Sequence, residues 1–181
     1  MTCVIGLEEN GVAYIGADSA AVSGQHDIRA TSIPKVFYNG DKVVGYTSSF
    51  RMGQILQFMS MPVGDPSDEY MVTRFAEAVR EELKTKGYST IKENEESGGE
   101  FIVAVNGCLY TVESDYQVQR YNDGLSIIGC GYAYAYGAMM ALSNLQPEKR
   151  ILEALRITAY YSSGVCAPFS VLKSVKEHEY R

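Results

Sequence analysis

The sequence predicts an α+β domain, a four-layer αββα sandwich with two antiparallel sheets between helix layers. Three observations lead there. Asn-Gly pairs at Asn10-Gly11, Asn39-Gly40 and Asn106-Gly107 each join two short β-prone runs, the pattern of tight hairpins. Helical periodicity follows the second hairpin and returns late in the chain. The order of hairpins, two helices, more hairpins and two further helices segregates helices onto the outer faces of stacked sheets. A chain of 181 residues buries a sizeable core without metal or disulfide staples, so residues 1–181 read as one domain.

Taken in order, "TCVIGLEE" and "GVAYIGADS" flank Glu9-Asn10-Gly11 as the first hairpin. "KVFYNG" and "KVVGYTSS" flank Asn39-Gly40-Asp41 as the second, with residues 20–34 as the link between them. Met52, Ile55, Leu56 and Met59 have helical spacing over 50–61, and the segment from Pro62 to Pro66 ends that helix. Ser67 or Asp68 caps a second helix that buries Val72, Phe75, Val79 and Leu83 on one side. The polar stretch 87–100 reads as an exposed loop. "FIVAVNGCLYTVES" gives the third hairpin, and "YQVQRY" and "LSIIGC" two more strands. "YAYAYGAMMAL" alternates like a strand at its start but continues in helix formers, and is read as a helix. "PEKRILEALRITAYY" is a helix with Pro147 near its start, and "PFSVLKSV" closes the chain as a strand.

A net charge of -6 and the absence of any Lys/Arg run exclude a phosphate-tracking surface, so nucleic acid is not an expected partner. No apolar stretch is long enough to span a bilayer and no basic segment precedes an apolar one at the N-terminus, which points to a cytoplasmic protein. Cys3, Cys108, Cys130 and Cys166 are scattered without a CxxC pair, so neither a metal site nor a disulfide framework is expected. No cofactor motif is present.

A hydroxyl nucleophile needs a base, and the two histidines, His26 and His178, sit in a polar loop and near the C-terminus. A Ser-His-Asp triad is not the expected arrangement. Thr2 offers another solution. With Met1 removed, its hydroxyl would stand beside its own α-amine, whose ordinary pKa of about 7.7–8.0 leaves it partly neutral near pH 7. Asp18 ends the second strand of the hairpin whose first strand starts at Thr2, which places the two residues together at its open end. Lys35 starts the next strand, where an ammonium would disfavour protonation of the amine. Each of these residues is ordinary when taken singly.

Together, "TCVIGLEENGVAYIGADSAAVSG", "PKVF" and "KVVGYTSS" resemble the opening of proteasome β-type subunits and HslV-type peptidases, members of the N-terminal nucleophile (Ntn) hydrolases. The spacing from Thr2 to Asp18, 18 − 2 = 16, matches that family, as does Gly24 shortly after the Asp. Lys35 falls one residue later than the family's usual spacing, which a one-residue insertion between Gly24 and Lys35 explains. "IIGCGYAYAYGAMMAL" resembles the family's Gly-Ser-Gly turn into an Ala-rich helix, and "AYYSSGV" its Ser-Gly-Gly segment.

The resemblance implies Thr2 as nucleophile and base, Lys35 as the charge that tunes its amine, and Asp18 as the partner of Lys35. It implies an oxyanion hole that includes the backbone N–H of Ser48, where the family has Gly. Ala21 and Val22 would line the substrate cleft, and Tyr46 would shape its pocket. Two departures stand out. Cys130 replaces a Ser near the Thr amine, and the supporting Asp of the last helix is replaced in the region of Ala159 or Tyr160, leaving Ser162 and Ser163 to satisfy the local hydrogen bonds. The expected activity is a threonine peptidase acting on peptides or unfolded proteins after Met1 removal. A ring-forming homo-oligomer and an ATPase unfoldase partner are implied with it. The alternatives are a catalytically silent ring or scaffold protein, or an Ntn amidase acting on a small amide.

Overall fold

The chain turns back on itself wherever two residues in the left-handed region follow a β-prone run. Asn10 (φ 53) with Gly11 (φ 73) and Asn106 (φ 49) with Gly107 (φ 74) close two such turns, the backbone sign that matches the twist of the flanking strands. The first turn joins β1 (Val4–Glu9) to β2 (Val12–Ala17). Two short strands, β3 (Ala20–Val22) and β4 (Ile28–Ala30), form a ribbon inside the link expected at 20–34. Next come β5 (Val36–Asn39) and β6 (Lys42–Tyr46), paired across Gly40-Asp41. The computed structural model describes residues 1–24, 27–64 and 66–176.

Helix α1 (Phe50–Phe58) is capped by Ser49, whose side chain accepts from the Arg51 N–H. A second helical run covers 68–85: α2 (Asp68–Tyr70), a π-helical turn (Met71–Phe75) and α3 (Ala76–Thr85), with the Ser67 side chain accepting from the Tyr70 N–H. The π turn corrects one expectation. It alters the angular spacing, so Met71, Phe75, Val79 and Leu83 are buried and Val72 is 53% exposed.

The stretch 87–100 is likewise more than a loop. It carries a ribbon of β7 (Thr90–Lys92) and β8 (Glu95–Ser97), turned at Glu93 (φ 54) and Asn94 (φ 70) and tied to α3 by Glu96, 2.7 Å from Arg80. The third hairpin is β9 (Phe101–Val105) and β10 (Cys108–Val112). "YQVQRY" contributes only β11 (Val118–Gln119), followed by β12 (Leu125–Ile128). Helices α4 (Tyr132–Ala141) and α5 (Pro147–Tyr161) and strand β13 (Ser170–Val175) complete the described chain.

Among the described residues the result is a mixed α+β fold with two main antiparallel sheets and four helical runs. One sheet has the order β12-β1-β2-β13, the other β11-β10-β9-β6-β5. Three clusters hold these elements together. Val4 and Ile15 of the first sheet pack with Val43, Ile102 and Leu109 of the second. Ile5 and Leu7, one residue out of phase with Val4, pack with Met139 of α4 and Ile151 and Leu155 of α5. Val44 and Val103 pack with Leu56 of α1 and Phe75 and Leu83 of the second helical run.

Gly53 in α1 shows how tightly helix and sheet meet. A Cβ there would lie 2.1 Å from Cζ of Tyr46, whose ring is held by Phe37 and Phe50. Gly53→Ala should therefore destabilise the protein by about 1–3 kcal/mol through overpacking, although alanine is the better helix former. Urea unfolding of the two proteins checks this; a more stable variant would contradict it.

Candidate functional site

The site begins with strand register. Val4 pairs with Ala17, so Cys3 and Asp18 meet at the open end of the first hairpin. The Cys3 N–H donates to Asp18 Oδ1 at 3.0 Å, and the Asp18 N–H to the Cys3 carbonyl at 3.3 Å. Asp18 Oδ2 accepts from the N–H groups of Ala20 (2.8 Å) and Cys166 (3.2 Å). Lys35 lies just before β5, its carbonyl accepting from the Tyr46 N–H at 3.0 Å. Its Nζ donates to Asp18 Oδ1 at 2.9 Å, Thr2 Oγ1 at 3.0 Å and the Met1 carbonyl at 3.2 Å. The Lys35 and Asp18 side chains are 1% and 0% exposed, so this is a buried ion pair. Backbone donors share the carboxylate's charge, which is what permits its burial. Burial, with the Asp18 charge second, pushes the Cys3 thiol far up.

Thr2 itself is buried. Its N–H donates to Cys130 Sγ at 3.4 Å, and Sγ also lies 3.5 Å from the Thr2 carbonyl and 4.0 Å from Ser162 Oγ. Its Oγ1 also contacts the Met1 carbonyl. Gly129 (φ 93) lets the chain approach this closely, since a Cβ there would be 2.3 Å from the Thr2 carbonyl oxygen. Ser163 is exposed, and among the described residues no hydrogen bond joins it to Thr2 or Cys130. The last helix turns Thr158 toward the site, with its Cγ2 2.5 Å from where a Cβ on Gly131 would stand. Its hydroxyl is bonded to the Ala154 carbonyl at 2.8 Å. Tyr160 is 83% exposed. His26 and His178 lie outside the described residues.

Ser48 has φ 68, a conformation that glycine adopts without cost and that is unfavourable for serine. Its Oγ accepts from the Glu100 N–H at 3.2 Å. Ser48, Thr2, Val22, Lys35, Tyr46 and Phe50 line a cavity of about 120 Å³ that Met1 also borders. A wider cavity, about 410 Å³, is lined by Ala21, Val22, Ser23, Asp27, Arg29 and Phe50. Ala21 thus borders the wider space and Val22 both. Tyr46 is 2% exposed, its phenol pushed up to about 12 by burial, and its hydroxyl has no partner among the described residues. Thr158 and Phe50 are the neighbours that sequence reasoning missed. Phe50 reads only as the first residue of a helix, so no local signal marks its place at the cleft. A third cavity, about 380 Å³, is lined by Glu8, Asp68 and Arg120 among others, and its guanidinium is already committed to Glu8 (2.7 Å) and Asp68 (3.5 Å).

The fold around this site is proteasome-like. BPH of Thiobacillus denitrificans, solved in complex with epoxomicin, superposes with a TM-score of 0.80 at 20% identity over 97% of this chain and 100% of that one. HslV of Trypanosoma brucei does so with a TM-score of 0.67 at 18% identity over 94% and 98%. Anbu of Pseudomonas aeruginosa, described as a helical assembly, gives 0.67 at 15% identity over 96% and 81%. No protein-family model and no curated protein matches the sequence.

Removing one member of a buried ion pair leaves its partner's charge uncompensated. Asp18→Ala should cost about 3–5 kcal/mol of stability. The double change Asp18→Asn with Lys35→Met should cost less, because it leaves no buried charge. Denaturant titrations give both numbers; an Asp18→Ala cost under about 1 kcal/mol would show that the pair does not hold the site together.

Proposed function

We propose that this chain is an N-terminal threonine peptidase of the proteasome and HslV type, active once Met1 is removed. The observation that carries the reading is the buried line of contacts from Asp18 to Lys35 Nζ to Thr2 Oγ1, at 2.9 and 3.0 Å. Likeness in fold to HslV and to an epoxomicin-binding protein supports it. The three packed clusters support the finer reading of the fold as a four-layer αββα sandwich.

In this reading the free α-amine of Thr2 takes the Oγ1 proton, and Oγ1 attacks a peptide carbonyl. The oxyanion is held by the Ser48 N–H, and the amine hands the proton to the departing nitrogen as the C–N bond breaks. A water then loses a proton to the same amine and adds to the ester; as the ester C–O bond breaks the amine returns that proton to Oγ1, releasing the acid and regenerating Thr2. The Lys35 ammonium favours the neutral amine, and Asp18 holds Lys35 in place at 2.9 Å. Cys130 and Ser162 take the supporting place beside the amine.

Substrates are peptides or unfolded protein, delivered by an ATPase partner in the cytoplasm. The chain works as a ring-forming homo-oligomer. The assembly described for Anbu supports self-association, as does the exposed group of tyrosines in which Tyr134 of α4 stacks on Tyr161 of α5 and Tyr161 meets Tyr160 edge-on. In α4 no residue is charged. No helix among the described residues is long and apolar enough to cross a membrane.

A catalytically silent scaffold is the second reading, and one observation favours it. The side chain at the Thr2 nitrogen, 3.4 Å away, is Cys130, a weaker hydrogen-bond donor and acceptor than the Ser of the resembling family. The two readings separate cleanly. Protein with Thr2 as its first residue should hydrolyse a fluorogenic peptide amide and be inhibited by epoxomicin, whereas Thr2→Ala or retained Met1 should lower turnover by at least about a thousandfold. Equal turnover by Thr2→Ala would overturn the peptidase reading. An inert Thr2-first protein that still assembles would establish the scaffold.

A further inference from the structure

Three residues carry the chain from β6 into α1, and their backbone is unusual. The Ser49 N–H donates to the Thr47 carbonyl at 2.8 Å across Ser48, whose φ is 68. A bond from one residue to the next but one, with the central residue in the left-handed region, is the strained form of the γ-turn, which glycine takes more readily than serine. Two bonds to one neighbour hold this turn. The Thr47 N–H donates to the Glu100 carbonyl at 3.1 Å and the Ser48 Oγ accepts from the Glu100 N–H at 3.2 Å, so consecutive residues clasp both backbone groups of Glu100 just before β9. Gly99 allows that approach, since a Cβ there would lie 3.0 Å from the Ser48 Cβ and 2.4 Å from Met52 Sδ. On the other side, a Cβ on Gly129 would lie 3.2 Å from Thr47 Oγ1 and 2.3 Å from the Thr2 carbonyl oxygen, so one glycine sets the turn beside Thr2.

Two of the three backbone N–H groups from Thr47 to Ser49 are thus committed. The third, from Ser48, makes no hydrogen bond among the described residues, and Ser48 lines the cavity that Thr2 also lines. We infer that the Ser48 hydroxyl is a positioning group: by latching onto the Glu100 N–H it keeps the strained turn closed and its own N–H available to the oxyanion beside Thr2. This role rests on the peptidase reading and adds to it a reason for serine where the resembling family has glycine. A residue other than glycine persists in the left-handed region only where its surroundings over-determine it, and the hydroxyl supplies that constraint from the residue itself. Glycine takes the same turn without strain but also takes many others, so a latched serine holds the donor more firmly than an unlatched glycine does.

The test compares Ser48→Ala, which keeps the Cβ and loses the latch, with Ser48→Gly, which loses both, in protein beginning at Thr2 and turning over a fluorogenic peptide amide. A donor that acts on the oxyanion stabilises the transition state and not the bound substrate, so the loss should fall on kcat, with KM within about twofold of wild type. Glycine should lower kcat by about tenfold and alanine by about a hundredfold, since alanine carries the strain without the latch. The latch itself is read without turnover. Hydrogen exchange of the Glu100 amide, followed by NMR in the chain with or without Met1, should quicken at least about tenfold in both variants. An alanine variant with wild-type kcat, a glycine variant at least as active as wild type, equal losses in the two, or losses confined to KM would overturn the positioning role and leave the peptidase reading in place. Glu100 exchange unchanged in both variants would overturn the latch. A wild-type protein that hydrolyses no peptide amide and does not react with epoxomicin would overturn the peptidase reading, and the positioning role with it.

Discussion

Everything around Thr2 depends on one buried ion pair. Asp18 follows β2 of one sheet and Lys35 precedes β5 of the other, and their 2.9 Å contact ties those two strand ends together. A lysine and an aspartate with almost no exposed surface are costly to keep charged, and the fold meets that cost by surrounding the carboxylate with donors. Three backbone N–H groups, from Cys3, Ala20 and Cys166, converge on it from three segments of chain. The carboxylate therefore fixes the N-terminal strand, the ribbon that follows it and the segment after α5. Thr2 inherits its position from this junction, because it precedes one of those donors by a single residue.

Close backbone approach supplies the second constraint. Gly129 stands against the Thr2 carbonyl, and Gly53 against the ring of Tyr46. The first brings the Cys130 turn against Thr2; the second seats α1 so that Phe50, at its start, borders the small cavity beside Thr2. Helix capping takes part as well, since Ser49 both caps α1 and borders the small cavity. The site is thus assembled from strand ends and a helix start, elements whose positions are set by the packed clusters on either side of the two sheets.

Much of this was legible in the sequence because the signals are local. The Asn10-Gly11 and Asn106-Gly107 turns take positive φ at both residues and the second hairpin at Gly40, so the hairpins could be read, and with them the nearness of Thr2 and Asp18. Lys35 followed from its place at a strand start. The exposure of Val72 was not legible, because a π turn inside a helix is selected by packing and leaves no simple periodic mark. The β7–β8 ribbon was hidden in a polar composition that suits a loop equally well. Thr158 and Phe50 reach the site through tertiary packing alone. The left-handed Ser48 runs the other way, since its backbone supplies a physical reason for the glycine that the resembling family has at that place.

The central claim is that the buried Asp18–Lys35 pair sets the chemistry of the Thr2 nitrogen. A cation held beside an amine disfavours protonation of that amine, so the amine should titrate below the ordinary range of about 7.7–8.0. The direct measurement is an NMR titration of protein beginning at Thr2, with the Thr2 nitrogen and its attached carbon labelled. A midpoint clearly below about 7.7 that rises when Lys35 is replaced by methionine is the predicted result; a midpoint at or above about 8.0, unmoved by that replacement, would contradict the account.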